Sequence, residues 1–389
     1  MNHFVRPDIA EMEPYTPIVP FEVLSARLGR EPEDIVKLDA NENPYGPSPK
    51  ALQALRNGRF HHIYPDPEAN ILRDALSDYV NIPKSRLMAG AGADELIDVA
   101  LRAVLSPGDV VVDCPPSFGM YPFSTAVNAG HYLPVWRKAD FSLDVVGIET
   151  AVTTHNAKVL FLCTPNNPDG SLIDDDTLRR LLQLPVLVIL DEAYIDFAID
   201  LSRKEREERK EEENFAPSAS FAVNSRLSWV LEYDNLAVLR TFSKLAGLAG
   251  LRVGYGAFPE WLLPHMWKIK QPYNVNVAAS LAATAALQDR DWLHDKIHLI
   301  VAERERMVAQ LAQFDWLQPY PSHSNFVLFR VLGRDARQLK LNLEQHGVLV
   351  RYFNKPGLDN CIRISVGRPQ DTDKLVAAFK SIEQSRSNE

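Results

Sequence analysis

Between residues 110 and 190 the chain alternates short, unbroken aliphatic runs with segments of helical periodicity, and few folds accommodate that pattern. The aliphatic runs fall at 110–112, 132–135, 158–162 and 186–190, and the helical segments between them at 118–128, 146–153 and 174–183. A strand that is apolar without alternation is buried on both faces, which is the mark of a parallel sheet covered by helices. The expected fold class is therefore α/β, a mostly parallel sheet flanked by helices. In such sheets ligands sit beyond the carboxyl ends of the strands. That rule gives the residues ending each run extra weight.

The run 186–190 passes directly into Asp191-Glu192-Ala193-Tyr194, and 158–162 into Cys163-Thr164-Pro165-Asn166-Asn167-Pro168-Asp169-Gly170. A third run, 236–239, leads into Arg240-Thr241-Phe242-Ser243-Lys244, followed by a glycine-rich turn and Arg252. A lysine amine can form a Schiff base with an aldehyde, and hydroxyls, backbone N–H groups and a guanidinium bind dianions. An acid at a strand end is more commonly a helix cap. Here the same rim also receives Asn167, Tyr194 and Lys244, the set a pyridoxal ring requires. A carboxylate keeps the pyridine nitrogen protonated, and an amide and a phenol hydrogen-bond the ring 3-oxygen. Gly90-Ala91-Gly92-Ala93-Asp94-Glu95, opening the helical segment 96–105, adds a place where backbone N–H groups and a helix dipole favour an anion. On its own that signal is weak.

The rest of the chain bounds the reading. A length of 389 residues suffices for two lobes, and 46% hydrophobic with 24% charged residues describes an ordinary globular protein. The net charge of −9 offers no basic field for a phosphate backbone, so nucleic acid is not expected as a partner. Residues 1–20 hold no apolar run of membrane or signal-peptide length, and a cytoplasmic setting is expected. Cys114, Cys163 and Cys361 lie far apart in apolar segments, which points to reduced core thiols, with no metal site expected. Residues 201–213 are almost entirely charged and are expected to be a solvated excursion. The long helical segment 292–314 places Glu303, Arg304 and Arg306 outward. A second alternating region follows, with strands at 325–330, 348–351 and 361–365 and helices at 336–345 and 372–384, the pattern of a smaller α+β lobe. The expected division is an N-terminal arm 1–32, a large domain 33–272 with an insertion at about 201–228, and a small domain 273–389. Arg351 and Arg363 stand in or at the end of apolar strands, where an arginine is expected to face an anion or a paired acid.

Taken jointly and in order, the loop from Leu38 to Pro49 (LDANENPYGPSP), Gly92-Ala93-Asp94-Glu95, Cys114-Pro115-Pro116, Pro165-Asn166-Asn167-Pro168, Asp191-Glu192-Ala193-Tyr194 and Thr241-Phe242-Ser243-Lys244 to Arg252 resemble the histidinol-phosphate aminotransferase family of fold-type-I pyridoxal-phosphate enzymes. The resemblance implies a large domain built on a mostly parallel sheet of seven-stranded type and a smaller α+β C-terminal domain. It implies that Lys244 carries pyridoxal 5'-phosphate, that Asp191 pairs with the pyridine nitrogen, and that Asn167 and Tyr194 bond the 3-oxygen. Phe118 would stack on the ring, and Ala93, Asp94, Thr241, Ser243 and Arg252 would cradle the phosphate. Family members are homodimers, and Tyr64 matches a tyrosine that reaches the neighbour's cofactor. Arg363 matches an arginine that takes a carboxylate or phosphate, and Asn43, Tyr273 and Arg351 match other substrate positions. The implied reaction is transamination of L-histidinol phosphate with 2-oxoglutarate, giving imidazole acetol phosphate and glutamate in histidine biosynthesis. An aromatic amino acid aminotransferase and a threonine-phosphate decarboxylase of the same fold are the alternatives. Three departures stand out: Asp169 where threonine is usual, Leu245-Ala246 after the lysine, and the long excursion.

Overall fold

A computed structural model of the chain describes residues 4–12, 21–199 and 224–387. The charged stretch 201–213 lies outside the described residues. The strands are β1 (Val36–Leu38), β2 (Leu87–Gly90), β3 (Val110–Asp113), β4 (His131–Pro134), β5 (Val159–Cys163), β6 (Leu187–Asp191), β7 (Leu236–Thr241), β8 (Gly254–Ala257), β9 (Leu317–Pro319), β10 (Phe326–Val331), β11 (Val348–Tyr352) and β12 (Cys361–Ser365). They form a seven-stranded sheet in the order β2-β8-β7-β6-β5-β3-β4 and a five-stranded sheet in the order β1-β11-β12-β10-β9. In the larger sheet β4, β3, β5, β6 and β7 run parallel, and β8 lies antiparallel between β7 and β2.

Burial explains why the aliphatic runs became parallel strands. Every residue of β5 and β6 is buried, and the two faces of the sheet feed two separate apolar clusters, one holding Leu160, Leu162, Val188 and Leu190, the other Val159, Phe161, Leu187 and Ile189. A strand sandwiched in this way gains apolar burial on both faces, at about 25 cal/mol per Å² removed from water. The smaller sheet is antiparallel except for β1, which arrives from the N-terminal part of the chain and pairs with β11 in parallel. The helix Val277–Leu287, rich in alanine, packs against the helices Pro49–Asn57 and Asn70–Val80.

One helix corrects the sequence reading. In Arg290–Leu311, Glu303 and Arg304 are buried rather than outward. Each has found the partners that burial of a charge demands. Arg304 donates to the carbonyls of Phe197 and Ser324, while Glu303 accepts from the Thr372 hydroxyl and from Arg306. Among the described residues no helix is long and apolar enough to cross a membrane. All three cysteines are buried and free.

Candidate active site

Five strand ends of the large sheet converge on one cavity. Asp191 closes β6, Thr241 closes β7, and Cys163 closes β5 with Asn167 four residues on. Phe118 follows β3, and Ala93 opens the helix Ala93–Val104 after β2. The cavity is lined by Ala93, Asp94, Phe118, Asn167, Asp191, Tyr194, Thr241, Ser243, Lys244 and Arg252, each singled out by the sequence, together with Ala40, Glu42, Cys163, Ala193 and Ala249.

Its phosphate-sized end is built from backbone as much as from side chains. Gly92, before the helix, has φ +89°, and a Cβ there would lie 2.7 Å from Arg252 Nη2. On β8, a Cβ at Gly254 would lie 2.5 Å from the Ala93 nitrogen. Only glycine lets these segments approach so closely. The helix start carries no side-chain cap, so its first N–H groups and the positive end of its dipole are available to an anion. Arg252 Nη2 meets Asp94 Oδ2 at 2.9 Å, and the Thr241 hydroxyl accepts from the Ser243 N–H at 3.0 Å.

Asp191 is 4% exposed. One oxygen accepts from the Tyr121 hydroxyl at 2.8 Å and the other from the Ala193 N–H at 2.9 Å. Burial pushes its carboxyl up to about 6, against the lowering pull of the Tyr121 hydrogen bond, so it is ionised at neutral pH. Tyr121 is fully buried and stacked on Phe161 at 4.6 Å. No motif in the sequence pointed to it, because its role depends on a stack formed only in the fold.

Lys244 Nζ donates to the Ala40 carbonyl at 3.2 Å and lies 5.4 Å from the centre of the Tyr194 ring. Burial first, and the charge of Arg363 second, bring its amine down to about 8. The Tyr194 hydroxyl accepts from Asn41 Nδ2 at 3.1 Å, and its ring meets Phe326 edge-on at 5.0 Å. Asn41 is thus a second group with no individual role assigned from sequence. It sits in the loop from Leu38 to Pro49, one of the motifs that carry the family resemblance, and Ser365 and Asn325 hold it from the small sheet.

The substrate-side expectations are spread more widely. Arg363 donates to Asn167 Oδ1 at 2.5 Å and to the Asp39 carbonyl at 2.9 Å. Asn43 spends its amide on the Leu245 carbonyl at 2.6 Å and on the Tyr45 N–H at 2.9 Å, tying its loop to the segment after Lys244. Arg351 is paired with Arg363 across β11 and β12. Tyr64 and Tyr273 lie outside the cavity and stack on one another at 4.7 Å. Asp169, the unusual residue after Asn-Asn-Pro, is buried and accepts from Asn166 and from the Ser171 N–H, so it braces the loop that carries Asn167.

A lysine, a buried acid and an anion cradle lining one cavity are the parts of a pyridoxal-phosphate transferase site. Residues 33–379 match the model of the family described as aminotransferase class I and II, and the chain belongs to that family. It is 50% identical to the chloroplastic histidinol-phosphate aminotransferase of Nicotiana tabacum over 378 residues, covering 97% of this chain and 86% of that one. Identity is again 50% to the histidinol-phosphate aminotransferase of Roseiflexus castenholzii, over 97% of this chain and 98% of that one. The crystal structure of histidinol-phosphate aminotransferase from Sinorhizobium meliloti in complex with pyridoxal-5'-phosphate superposes with a TM-score of 0.83 at 29% identity, covering 97% of each chain.

Proposed function

We propose that the chain is a pyridoxal-phosphate-dependent aminotransferase that passes the amino group of L-histidinol phosphate to 2-oxoglutarate, yielding imidazole acetol phosphate and glutamate. The observation that carries the reading is Lys244, a half-buried amine brought down to about 8 within one cavity with Asp191 and an uncapped helix N-terminus. The relatives at 50% identity support the choice of substrate.

The residues fit the cofactor. Thr241, Ser243, Arg252 and the N–H groups at Ala93 and Asp94 would hold its phosphate, Phe118 one face of its ring, and Asn167 and Tyr194 its 3-oxygen. When bound, pyridoxal phosphate supplies an aldehyde that takes up the amino group and a ring that draws electrons from the substrate Cα. Asp191, ionised and steadied by Tyr121, keeps the ring nitrogen protonated. With the cofactor bound, Lys244 Nζ would serve as general base and acid, taking the proton from the substrate Cα and giving one back to complete the transfer. Arg363 binds one of the two carboxylates of 2-oxoglutarate, and Arg351 and Arg363 together bind the phosphate of histidinol phosphate.

We also propose a homodimer in which Tyr64 serves the neighbour's cofactor. Tyr64 is 80% exposed and stands apart from its own chain's cavity.

Steady-state comparison of histidinol phosphate with phenylalanine as amino donors tests the substrate. Arg351→Ala is expected to cost on the order of tenfold to a hundredfold in the histidinol-phosphate half-reaction, through loss of a charge-assisted bond. It should cost much less with 2-oxoglutarate, and Arg363→Ala should damage both. Equal losses for Arg351→Ala, or faster turnover of phenylalanine, would move the assignment to an aromatic aminotransferase.

A further inference from the structure

Arg351 and Arg363 are direct partners in the antiparallel pair of β11 and β12. Side chains at such a pair leave the sheet on the same face, where two like charges set opposite one another work against folding. One aromatic ring faces both. The Phe353 centroid lies 5.9 Å from Arg351 Cζ and 5.5 Å from Arg363 Cζ. Arg363 meets a second ring, Phe326, at 5.1 Å. Phe353 is itself anchored against a small apolar cluster of Phe141, Leu328, Leu358 and Cys361. Phe141 comes from the connection after β4 in the large sheet, and Leu328 and Cys361 from the small one. The ring is therefore fixed by both lobes.

Taking the histidinol-phosphate reading as its basis, we propose that Phe353 is a positioning residue that sets specificity for a phosphate-bearing substrate. The electron-rich face of an aromatic ring attracts a guanidinium and limits the rotamers it can sample. A single arginine fork satisfies a carboxylate, whereas a phosphate dianion has oxygens for two. Phe353 holds the second fork, that of Arg351, in register with the first. Arg363 is held besides by Asn167 and the Asp39 carbonyl.

The test compares Phe353→Leu, which keeps apolar bulk against the cluster but loses the aromatic face, with Phe353→Tyr, which keeps that face. Both are assayed as cofactor-loaded enzymes, with inorganic phosphate as an added competitive probe. Phe353→Leu is expected to raise KM for histidinol phosphate roughly tenfold, as loss of a partly desolvated cation–π contact would. KM for 2-oxoglutarate and both kcat values should stay within about twofold, the inhibition constant of phosphate should rise with KM, and Phe353→Tyr should resemble the unmutated enzyme. An unchanged KM for histidinol phosphate, equal rises for both substrates, or a Phe353→Tyr variant as impaired as Phe353→Leu would overturn the proposal. If the unmutated enzyme does not use histidinol phosphate, the functional reading fails, and phosphate inhibition alone then decides whether Phe353 orders an anion site. Should Phe353→Leu not fold, Phe353→Met carries the same comparison.

Discussion

Burial acts on Asp191 and Lys244 in opposite senses, because in each case it penalises the charged form. For Lys244 the consequence is reactivity. At a pH of about 7.5 an amine of pKa near 8 is neutral on the order of 10² times more often than a free lysine. Uptake of pyridoxal phosphate by the cofactor-free protein should therefore speed up with a midpoint near 8, and borohydride reduction should then fix the cofactor to Lys244. A midpoint at the ordinary lysine value would sink the assignment. For Asp191 the consequence is strain. Its folded pKa, about 6, lies above its unfolded one, so the stability it contributes is full below the unfolded value and is lost as pH rises through about 6. Asp191→Asn cannot suffer that loss. In the cofactor-free state it should gain on the unmutated protein by about 2 kcal/mol between roughly pH 4.5 and 7.5, measured by urea unfolding, while binding the cofactor poorly. A flat difference across that range would show that the carboxylate is not strained. Lys244 and Asp191 were legible in sequence because strand ends carry ligands whatever the details. Tyr121 and Asn41 were not, since what each touches is decided by residues 40 to more than 300 positions away.

At the scale of elements, β3, β5, β6 and β7 were legible from their aliphatic runs. The strand β8 escaped because Gly254 and Gly256 leave it without an apolar signature, and those glycines are required by the close approach of Ala93 and Phe258. Likewise β2 (LMAG) and β9 (LQP) carry no aliphatic run. The burial of Glu303 and Arg304 was invisible for a related reason: a helix face is classed as outward from its own residues, while its partners arrive from elsewhere. The same principle locks β7 to the turn after β6. Arg240, 4% exposed, pairs with Asp196, 7% exposed; Asp196 follows Tyr194 by two residues and Arg240 precedes Lys244 by four. Asp196→Ala would strand a buried guanidinium, which typically costs about 3–5 kcal/mol. A fall in urea midpoint of that size is expected, with Tm lowered in step. A change below about 1 kcal/mol would mean that the nearby Glu192 takes over as partner.

At the scale of the whole molecule, the surface around Tyr64 is the least settled part of a lone chain. Phe60, Ile63 and Tyr64 are all more than half exposed, and Ala54, Val277 and Leu281 line the same apolar groove. Exposed apolar patches of this kind mark surfaces that another molecule covers, and under the homodimer proposed above the occupant is a second copy. The groove belongs to the helices Pro49–Asn57 and Val277–Leu287 and the segment that follows Asn57. The helix Val277–Leu287 is tied to the first of these and to Asn70–Val80, so a partner seated there would brace the base of the large lobe and set its own Tyr64 toward the cavity. Two substitutions separate assembly from catalysis. Ile63→Asp puts a charge in the groove and should shift the protein from dimer to monomer in sedimentation velocity, since an unpaired charge in a dry interface costs several kcal/mol. Tyr64→Phe removes only the hydroxyl and should leave the dimer intact while weakening cofactor retention by roughly tenfold, the value of one hydrogen bond to a charged group. A monomeric Ile63→Asp protein with full activity and normal cofactor retention would show that each chain completes its own site, and the role given to Tyr64 would then be wrong.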